Sequence, residues 1–434
     1  MAKRIIGIAL AFVGLLVGAG MATGQETIQY FLPFGTDGIW GVVLAGVIMA
    51  VSGLVVLQLG SYYQAVDHSS VFNSLTHKTV SVVLDVCVTV TVFSLGFVML
   101  AGAGSTLGQQ FGWPAWFGSA IMLALVLVTG LLDIQKVTRV IGYLTPVVVI
   151  AIVVAFVFSL TRLPVDFEMV DQLARQQPSP IGPWWHASIN YAGLVLISAV
   201  SMVLVIGGSY FSPRTAAWGG LLGGITLTAL VLLLALALLL SFDQVAGAPV
   251  PTLELFNSID PISGTVMVWV IYLMIYSTCV GQYYSLARRL SVKRPKRFYL
   301  FFASSAVLGF IISFVGFQDL MSVAYPALGY LGLFLAVALA VGYLRERSNL
   351  EAESERRIQI RALFTTRMHP DQVFTETDAR ELSRLVRESP VEDAELREVA
   401  VKEVLADLDA DQAEQLSLPE IMPNPTEPKV REDT

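Results

Sequence analysis

The stretch Gly18-Ala19-Gly20-Met21-Ala22-Thr23-Gly24-Gln25-Glu26 interrupts the first apolar segment of the chain, residues 5–33. At about 1.5 Å per residue a helix over the whole segment would run about 43 Å, whereas the hydrocarbon core of a bilayer is about 30 Å thick. The three glycines of this stretch disfavour a helix, and its threonine, glutamine and carboxylate disfavour contact with lipid. The stretch therefore predicts a membrane helix that is broken at Gly18-Ala19-Gly20-Met21.

A break at this depth predicts a ligand site. Unwound backbone in a membrane survives only where it is buried in protein or lines a wet cavity. A half-helix that starts at the break would direct free N–H groups at the gap, which suits a carboxylate. The alternative is that the glycines only permit close helix packing. That alternative accounts for Gly7, Gly14 and Gly18, but it leaves Gln25 and Glu26 unexplained. The predicted solute-binding residues of the break are Gly18, Ala19, Gly20, Met21, Thr23, Gln25 and Glu26.

The composition is that of a polytopic membrane protein with a polar tail. Of the 434 residues, 55% are hydrophobic and 14% are charged, and the mean hydropathy is +0.68. Soluble proteins carry about a quarter charged residues. Residues 348–434 hold 21 acidic and 11 basic residues and therefore carry a net charge of −10. The whole chain carries −7, so residues 1–347 carry +3. We therefore predict a transmembrane domain, 1–347, and an acidic, partly helical tail, 348–434. The predicted spans are 5–33, 36–60, 79–105, 112–132, 137–161, 187–211, 215–241, 263–287, 297–316 and 320–344.

The basic residues predict the orientation of these ten spans. With the N-terminus inside, the inner connections and the end of the last span hold fourteen Lys and Arg residues, and the outer connections hold only Arg162 and Arg175. Inner loops of membrane proteins are enriched in basic residues. Both termini are therefore expected in the cytoplasm. The inner residues are Lys3, Arg4, Lys78, Lys136, Arg139, Arg214, Arg288, Arg289, Lys293, Arg294, Lys296, Arg297, Arg345 and Arg347.

A secretory signal sequence is the second interpretation of the N-terminus. Lys3 and Arg4 precede an apolar run, and Gly20-Met21-Ala22 is similar to a small-residue cleavage site. Cleavage after Ala22 would leave nine spans and would remove the break. The run is long for a signal core and apolar sequence resumes at 28–32, which favours an uncleaved membrane helix.

The break also resembles that of a known transporter superfamily. A Gly-small-Gly-apolar sequence in the first span is similar to that of the amino acid–polyamine–organocation (APC) superfamily, which has the LeuT fold. The string from Gly18 to Glu26, followed by Gln29-Tyr30-Phe31 and Phe34-Gly35, more closely resembles the YkvI-type membrane proteins of that superfamily. The resemblance implies an all-α fold of ten transmembrane helices in two inverted repeats of five, with helices one and six broken. The repeats would be 5–161 and 187–344, and the tail is not covered.

Two groups of polar residues in the second half are candidate partners of the break. Ser198 and Ser201 lie near the centre of segment six, the expected mate of segment one, although membrane serines often bond back to their own helix. Met274, Ser277 and Thr278 share one face of segment eight. The family's sodium site uses a carbonyl and two hydroxyls at this spacing, so the resemblance implies a sodium ion there. Chance spacing of two hydroxyls is the alternative, and no other cofactor is expected.

Two carboxylates, Glu26 and Asp85, lie within the apolar spans and are candidates for proton coupling, since charge is costly in a membrane. Glu26 could instead recognise a substrate amine or face a vestibule. Asp85 could equally be a structural hydrogen-bond partner of a neighbouring helix. No catalytic constellation or nucleotide-binding motif is present, so an enzyme and a nucleic-acid partner are not expected. Solvated loop positions are expected for the four histidines, His68, His77, His186 and His369.

The tail contains two amphipathic patterns. One helix is predicted over 376–388, and a second is predicted to begin at Ser389-Pro390-Val391-Glu392, with Ser389 as its N-cap. The second helix carries an apolar stripe. We expect these helices to pack on each other or on the basic loop 288–297, and both a regulatory tail and a plain appendage remain open. The stripe consists of Leu396, Ala400, Val404 and Leu408.

These observations predict a secondary active transporter in the plasma membrane. It would move a small organic solute, an amino acid or similar zwitterion, by alternating access coupled to sodium or protons. The alternative is a solute-sensing membrane protein that signals through its tail. A channel is less favoured, since a broken helix suits a saturable site. The expected partners are the solute and the lipid bilayer, with self-association or a tail-mediated partner left open.

Overall fold

Helices and short 3-10 turns make up the regular structure in the part of the chain that the structure describes. A computed structural model describes residues 2–131, 144–164, 166–368 and 372–405. Several predictions fall outside these ranges. They concern Lys136, Arg139, His369, Leu408 and the first residues of the predicted span 137–161.

The first segment is interrupted twice. Helix α1 (Ala2–Leu16) ends before Gly18, and a helix of five residues, α2 (Ala19–Thr23), follows. Gly24 then separates α2 from α3 (Gln25–Tyr30). The predicted interruption is confirmed, although the non-helical residues are Val17, Gly18 and Gly24, while Ala19-Gly20-Met21 form the first turn of α2.

The remaining segments are uninterrupted helices wherever the structure describes them. Seven helices of the described ranges are long and apolar enough to cross a membrane, and two shorter apolar helices, 115–129 and 145–161, accompany them. Each predicted span contains one of these nine helices or the interrupted first segment, and the count of ten crossings stays a prediction. In chain order the helices are α4 (Thr36–Tyr62), α5 (His68–Leu75), α6 (Lys78–Phe111), α7 (Ala115–Thr129), α8 (Leu144–Thr161), α9 (Phe167–Arg175), α10 (Trp184–Gly208), α11 (Pro213–Leu240), α12 (Phe242–Val245), α13 (Pro251–Ile259), α14 (Pro261–Leu290), α15 (Phe298–Ser313), α16 (Phe317–Met368), α17 (Glu376–Arg387) and α18 (Asp393–Leu405).

The spanning helices pack in two groups. In one group α1 and α4 each pack on both α10 and α11, and in the other α6, α7, α14 and α15 all contact one another. Glycines allow the closest approaches, since a side chain on Gly53 or Gly220 would overlap the backbone of the facing helix. Many large apolar residues on the outer faces are exposed, as lipid contact requires. Each group therefore combines two segments from the first half with two from the second.

Two ends of this bundle are used below. We call the end at which α1 begins and α4 and α14 end the basic face. We call the end at which α3 ends and α4 begins the opposite face.

The predicted break in segment six is wrong. Helix α10 is continuous from Trp184 to Gly208. Neither proline nor an extended glycine interrupts its centre, and the Ser198 hydroxyl donates to the carbonyl of Val195 on the same helix at 2.8 Å. Because the hydroxyl is satisfied within the helix, no unwinding is needed.

Helix α16 carries the last span directly into the tail. It is 52 residues long, so the predicted boundary at 347/348 lies inside a continuous helix. The tail then folds back, and Leu382, Leu396 and Val404 are buried in a cluster with Phe364 of α16 and Phe211. The tail helices thus pack on α16 and on Phe211 as well as on each other.

One boundary in the tail differs from the prediction. Helix α17 covers Glu376–Arg387, as expected, but α18 begins at Asp393 rather than after Ser389. The Ser389 hydroxyl donates to the carboxylate of Glu353 on α16 at 2.6 Å. Because the Ser389 hydroxyl bonds to this buried carboxylate, it does not cap a helix, and Ser389 is not an N-cap.

Candidate solute and ion site

The break has a defined backbone geometry. Gly18 is extended (φ −108°, ψ −167°) and precedes α2, and Gly24 has φ 76°, the left-handed region that favours glycine. The Thr23 hydroxyl donates to the carbonyl of Gly20 at 2.9 Å. The residues 19–25 are buried. The break is therefore held inside the protein, as unwound backbone in a membrane requires.

The carboxyl group of Glu26 folds back over α2. A side chain on Gly20 would overlap this carboxyl group, so Gly20 leaves the space that it occupies. The Tyr191 hydroxyl of α10 donates to Glu26 Oε2 at 3.4 Å. No lysine, arginine or histidine of the described residues forms an ion pair with Glu26. Within the described ranges, the site therefore contains a carboxyl group that no basic side chain pairs with.

A polar and aromatic layer surrounds Glu26 on the side of the opposite face. The rings of Tyr30 and Tyr191 lie 5.2 Å apart. The Tyr30 hydroxyl donates to Asn190 Oδ1 at 3.2 Å, and Asn190 Nδ2 donates to the carbonyl of Pro326 on α16 at 3.0 Å. This chain of contacts joins the first segment to α10 and to the proline position of α16.

Several buried polar atoms at this level lack a partner among the described residues. They include Gln25 Oε1, Thr252 Oγ1 and the Tyr325 hydroxyl. Thr252 belongs to α13 and lies against Gly24, and Tyr325 is a fully buried residue of α16. Buried polar groups without partners are costly unless a water or a ligand satisfies them. Because all three can accept, they suit a ligand that donates hydrogen bonds.

One of the three predicted ion-binding residues, Thr278, lies beside the first interruption. A Cβ atom on Gly18 would lie 3.8 Å from Thr278 Oγ1 and 3.9 Å from the carbonyl oxygen of Leu16. The Thr278 hydroxyl donates to the carbonyl of Met274 at 3.1 Å, and Ser277 and Thr278 are half-buried. Hydroxyl and carbonyl oxygens are ligands that small hard cations prefer. The Thr278 hydroxyl and the carbonyls of Met274 and Leu16, which also accept hydrogen bonds from Thr278 and Gly18, are therefore the oxygens that could hold a sodium ion here.

Ser198 and Ser201, the solute-binding candidates of α10, do not join this site. The Ser198 hydroxyl bonds within its own helix, and Ser201 Oγ lies 2.9 Å from His68 Nδ1, toward the basic face. The prediction placed these two serines opposite the break because it assumed that segment six is unwound there. The residues of α10 that do reach the break are Asn190 and Tyr191. Both are polar side chains inside an apolar span, and this property could have identified them as candidates from the sequence.

Asp85 is the centre of a charged cluster near the basic face. Arg289 of α14 donates to Asp85 and to His68 Nε2, the latter at 2.6 Å. With Nε2 accepting, His68 Nδ1 carries the proton and donates to Ser201. We call these four residues, Asp85, Arg289, His68 and Ser201, the basic-face latch. They join α5, α6, α10 and α14, so the latch connects both packing groups.

The prediction of a solvated His68 is wrong, because His68 is buried at 7% exposure. Burial and the neighbouring Arg289 guanidinium lower the pKa of His68, and the Asp85 carboxylate opposes them. The sequence could not show this pairing, since Asp85 and Arg289 lie 204 residues apart. The ion pair also favours the structural interpretation of Asp85 over proton coupling.

Comparison with known proteins supports the fold. No protein-family model matches the chain. The uncharacterized membrane protein YkvI of Bacillus subtilis (strain 168) is 25% identical over 346 residues, 79% of this chain and 97% of that protein. The uncharacterized protein YyaD of the same organism is 25% identical over 331 residues, 76% of this chain and 94% of that protein. The alignment with YkvI therefore leaves about a fifth of this chain without a counterpart.

Two solved structures share the architecture. MhsT in complex with L-phenylalanine has a TM-score of 0.54 at 15% identity, covering 92% of this chain and 97% of that one. Mhp1 in its inward-facing conformation has a TM-score of 0.51 at 14% identity, covering 92% and 91%. Membership of the APC superfamily stays a prediction. The chain is an α-helical, multi-pass membrane protein with the LeuT-type fold of Mhp1 and MhsT and a sequence similar to that of YkvI.

Proposed function

We propose that this chain is a secondary active transporter that moves a small organic solute by alternating access, coupled to sodium or protons. The observation that carries the proposal is the carboxyl group of Glu26, which lies in a broken membrane helix and has no counter-charge among the residues that the structure describes. Isolated charge is expensive at this depth. A saturable ligand site accounts for its presence, and the transporter fold supports the same function.

The residues suggest how the solute is held. Glu26 and Tyr191 would receive an ammonium group, and the acceptor atoms of Gln25 and Tyr325 would take further N–H groups. An amino acid or a similar zwitterion is the first candidate solute, with its carboxylate toward the backbone of the break at Gly18. The aromatic rings of Tyr30 and Tyr191 offer faces that a cation also favours.

Coupling to an ion has two candidate sites. Sodium would bind between Met274, Ser277 and Thr278 and the carbonyls next to Gly18. A proton would be carried by Glu26. Sodium at Thr278 would order the interruption before α2, the helix over which the Glu26 carboxyl group folds, and this links sodium to substrate binding.

The arrangement in the membrane follows from packing and charge. The two packing groups, each made of two helices per half, support two repeats of five helices. The basic residues at the basic face support cytoplasmic N- and C-termini in the plasma membrane.

Uptake into proteoliposomes tests this function. Purified full-length protein is reconstituted and challenged with radiolabelled amino acids and amines under a sodium gradient, a proton gradient, or neither. Saturable accumulation that collapses with one gradient supports the transporter. Saturable binding without accumulation under any gradient would contradict it and favour the solute sensor.

A further inference from the structure

The segment 288–297 joins α14 to α15 at the basic face and carries six cationic side chains in ten residues. Arg289 pairs with Asp85 in the basic-face latch. We call the other five the basic rim. They are exposed, and none has a carboxylate within ion-pair distance in the described part of the chain. The basic rim consists of Arg288, Lys293, Arg294, Lys296 and Arg297.

Two ordinary roles account for part of this charge. Cations near the C-terminus of a helix interact favourably with its dipole, which covers Arg288 at the end of α14. Basic loops also fix the orientation of neighbouring spans. Neither role requires a cavity between the helices, and neither requires the loop to have one fixed course.

A cavity is nevertheless present. It has a volume of about 370 Å³, within the range of small-ligand sites. The rings of Tyr284 and Phe298 lie 5.0 Å apart in an edge-to-face arrangement and form an apolar wall. The cavity therefore combines a cation with apolar surface, as the phosphate ester of a lipid requires. Its lining consists of Tyr284, Arg288, Ser291, Val292, Pro295 and Phe298.

The loop that forms this cavity is fixed by its own backbone. The N–H of Ser291 donates to the carbonyl of Ala287 at 2.9 Å, the N–H of Arg294 to Ser291 at 2.8 Å, and the N–H of Arg297 to Arg294 at 2.9 Å. Ser291 is buried, and its hydroxyl donates to the carbonyl of Arg288 at 3.2 Å. Successive turns thus hold the basic rim in place around the cavity.

The surroundings of the cavity favour a lipid over a soluble phosphate. Leu290 and Val292 are exposed on one side, and Tyr299 and Leu300 are exposed at the start of α15. An exposed tyrosine at the end of a span is typical of the membrane interface. A phosphate seated at Arg288 would therefore have apolar surface beside it for acyl chains.

The acidic tail does not neutralise this site in the described residues. The tail docks instead on α1, on the end of α4 and on the loop at Phe211. Among the described residues, the basic rim is therefore left without an acidic partner. We propose that the pocket at Arg288 binds the phosphate headgroup of an anionic phospholipid in the leaflet at the basic face.

Occupancy of this pocket would act on the basic-face latch. Arg288 lines the pocket and the next residue, Arg289, holds Asp85 and His68. A headgroup on Arg288 would hold the last turn of α14 and thereby keep Arg289 in its pairing position.

Native mass spectrometry of the purified full-length protein tests the proposal. The protein is titrated with dioleoyl phosphatidylglycerol and, separately, with dioleoyl phosphatidylcholine. We expect the anionic lipid to bind at least about tenfold tighter. Each basic residue near a membrane surface contributes about fivefold in affinity, so R288Q/R294Q should lose about 25-fold. The control R380Q/K402Q removes two tail charges and should bind within twofold of the unchanged protein.

Two further arms separate a seated headgroup from diffuse attraction and from free phosphate. V292W fills the pocket without changing charge, and we expect it to bind phosphatidylglycerol at least fivefold more weakly. Equal binding of the two lipids, or unchanged binding by V292W, would overturn the proposal. Displacement of the lipid by millimolar inorganic phosphate or glycerol 3-phosphate would also overturn it, because the site would then be one for soluble phosphate. Loss of transport would not affect this result, so the two proposals are tested separately.

Discussion

Arg4 near the start of the chain and Glu403 near the end of the described tail form an ion pair, with Nη1 and Oε1 2.5 Å apart. The two residues are 399 positions apart in sequence, and both side chains are mostly buried. Glu403 also accepts the backbone N–H of Phe211 at 3.2 Å. The pair therefore fastens the first half-helix, α1, to the tail helix α18. Because α1 ends at the interruption before Gly18, this contact holds the end that lies farthest from the break.

Replacing Glu403 should loosen the tail. E403Q keeps the size of the side chain and removes its charge. Hydrogen bonds to charged groups contribute about 1.5–3 kcal/mol each, so we expect faster hydrogen exchange in 393–405 and a lower unfolding temperature. E398Q is the matched control, since its ion pair with Lys402 is exposed and such pairs contribute at most about 0.5 kcal/mol. Equal exchange in the two variants would contradict the docking role of Glu403.

Arg357 should be among the most sensitive positions of the tail. Its guanidinium is buried and donates to the carbonyls of Ser61, Tyr62 and Phe211 and to the carboxylate of Glu353, at 2.7–2.9 Å. R357M would leave three backbone carbonyls without their donor and would take from the buried Glu353 carboxylate one of its two arginine partners, Arg356 being the other. Removing one partner of a buried ion pair costs about 3–5 kcal/mol. R356M removes the more exposed partner and keeps the three carbonyl contacts, so it should cost less. Thermal unfolding in detergent measures both, and an R356M variant as unstable as R357M would refute this explanation.

Substitutions at Glu26 and Tyr191 should separate charge from shape in the solute site. E26Q removes a charged partner, so the affinity for an ammonium-bearing solute should fall about 10- to 150-fold. Y191F removes a neutral hydroxyl and should weaken binding only about two- to tenfold. G20A keeps both groups but places a Cβ where the Glu26 carboxyl group lies, so it should behave like E26Q. Binding by E26Q at wild-type strength would exclude Glu26 as the recognition group.

Removing the Thr278 hydroxyl should reduce the dependence on sodium. We expect T278A to raise the sodium concentration for half-maximal binding or uptake at least about tenfold, as the loss of groups that orient a metal does. S198A is the matched control, because that hydroxyl also lies in a membrane helix but bonds to its own helix. Equal sodium dependence of both variants would argue against an ion at Thr278.

The basic-face latch should weaken in acid. The pKa of His68 is lowered in the folded protein by burial and by Arg289, against Asp85 and Asp67. The folded state therefore binds fewer protons than the unfolded state below the usual histidine value near 6.5, and stability falls as pH drops through that value. Between pH 7.5 and 5.5 the unchanged protein should lose more thermal stability than H68N. H77N, at an exposed histidine, should lose as much thermal stability as the unchanged protein. If H68N also loses the same amount, His68 is not the cause of the acid sensitivity.

Local sequence determined what could be predicted of the membrane domain. Apolar run lengths located the spans, and the glycines and carboxylate of 18–26 located the interruption, because both depend on short-range preferences. The prediction of a break in segment six, with Ser198 and Ser201 beside it, was wrong for another reason. Symmetry between repeats predicts where a mate of the break would lie, but Ser198 needs no partner outside its own helix.

Long-range pairings could not be predicted from the sequence. Nothing in the spacing joins Arg289 to Asp85, or Arg357 to Ser61, 296 residues away. The tail shows the same limit. The helix over 376–387 follows from local capping, with Thr375 and Asp378 exchanging hydrogen bonds, whereas Ser389 is diverted by Glu353, which only the folded chain brings near.

The length of α16 makes it a lever arm. Pro326 lies in its membrane part and Arg357 in its tail part, 31 residues further along, which is about 46 Å of helix. A tilt of about 5° with Pro326 as fulcrum would move Arg357 by about 4 Å, more than its hydrogen bonds can absorb. Such a tilt of α16 about Pro326 therefore requires Arg357 to release the carbonyls of Ser61, Tyr62 and Phe211 together.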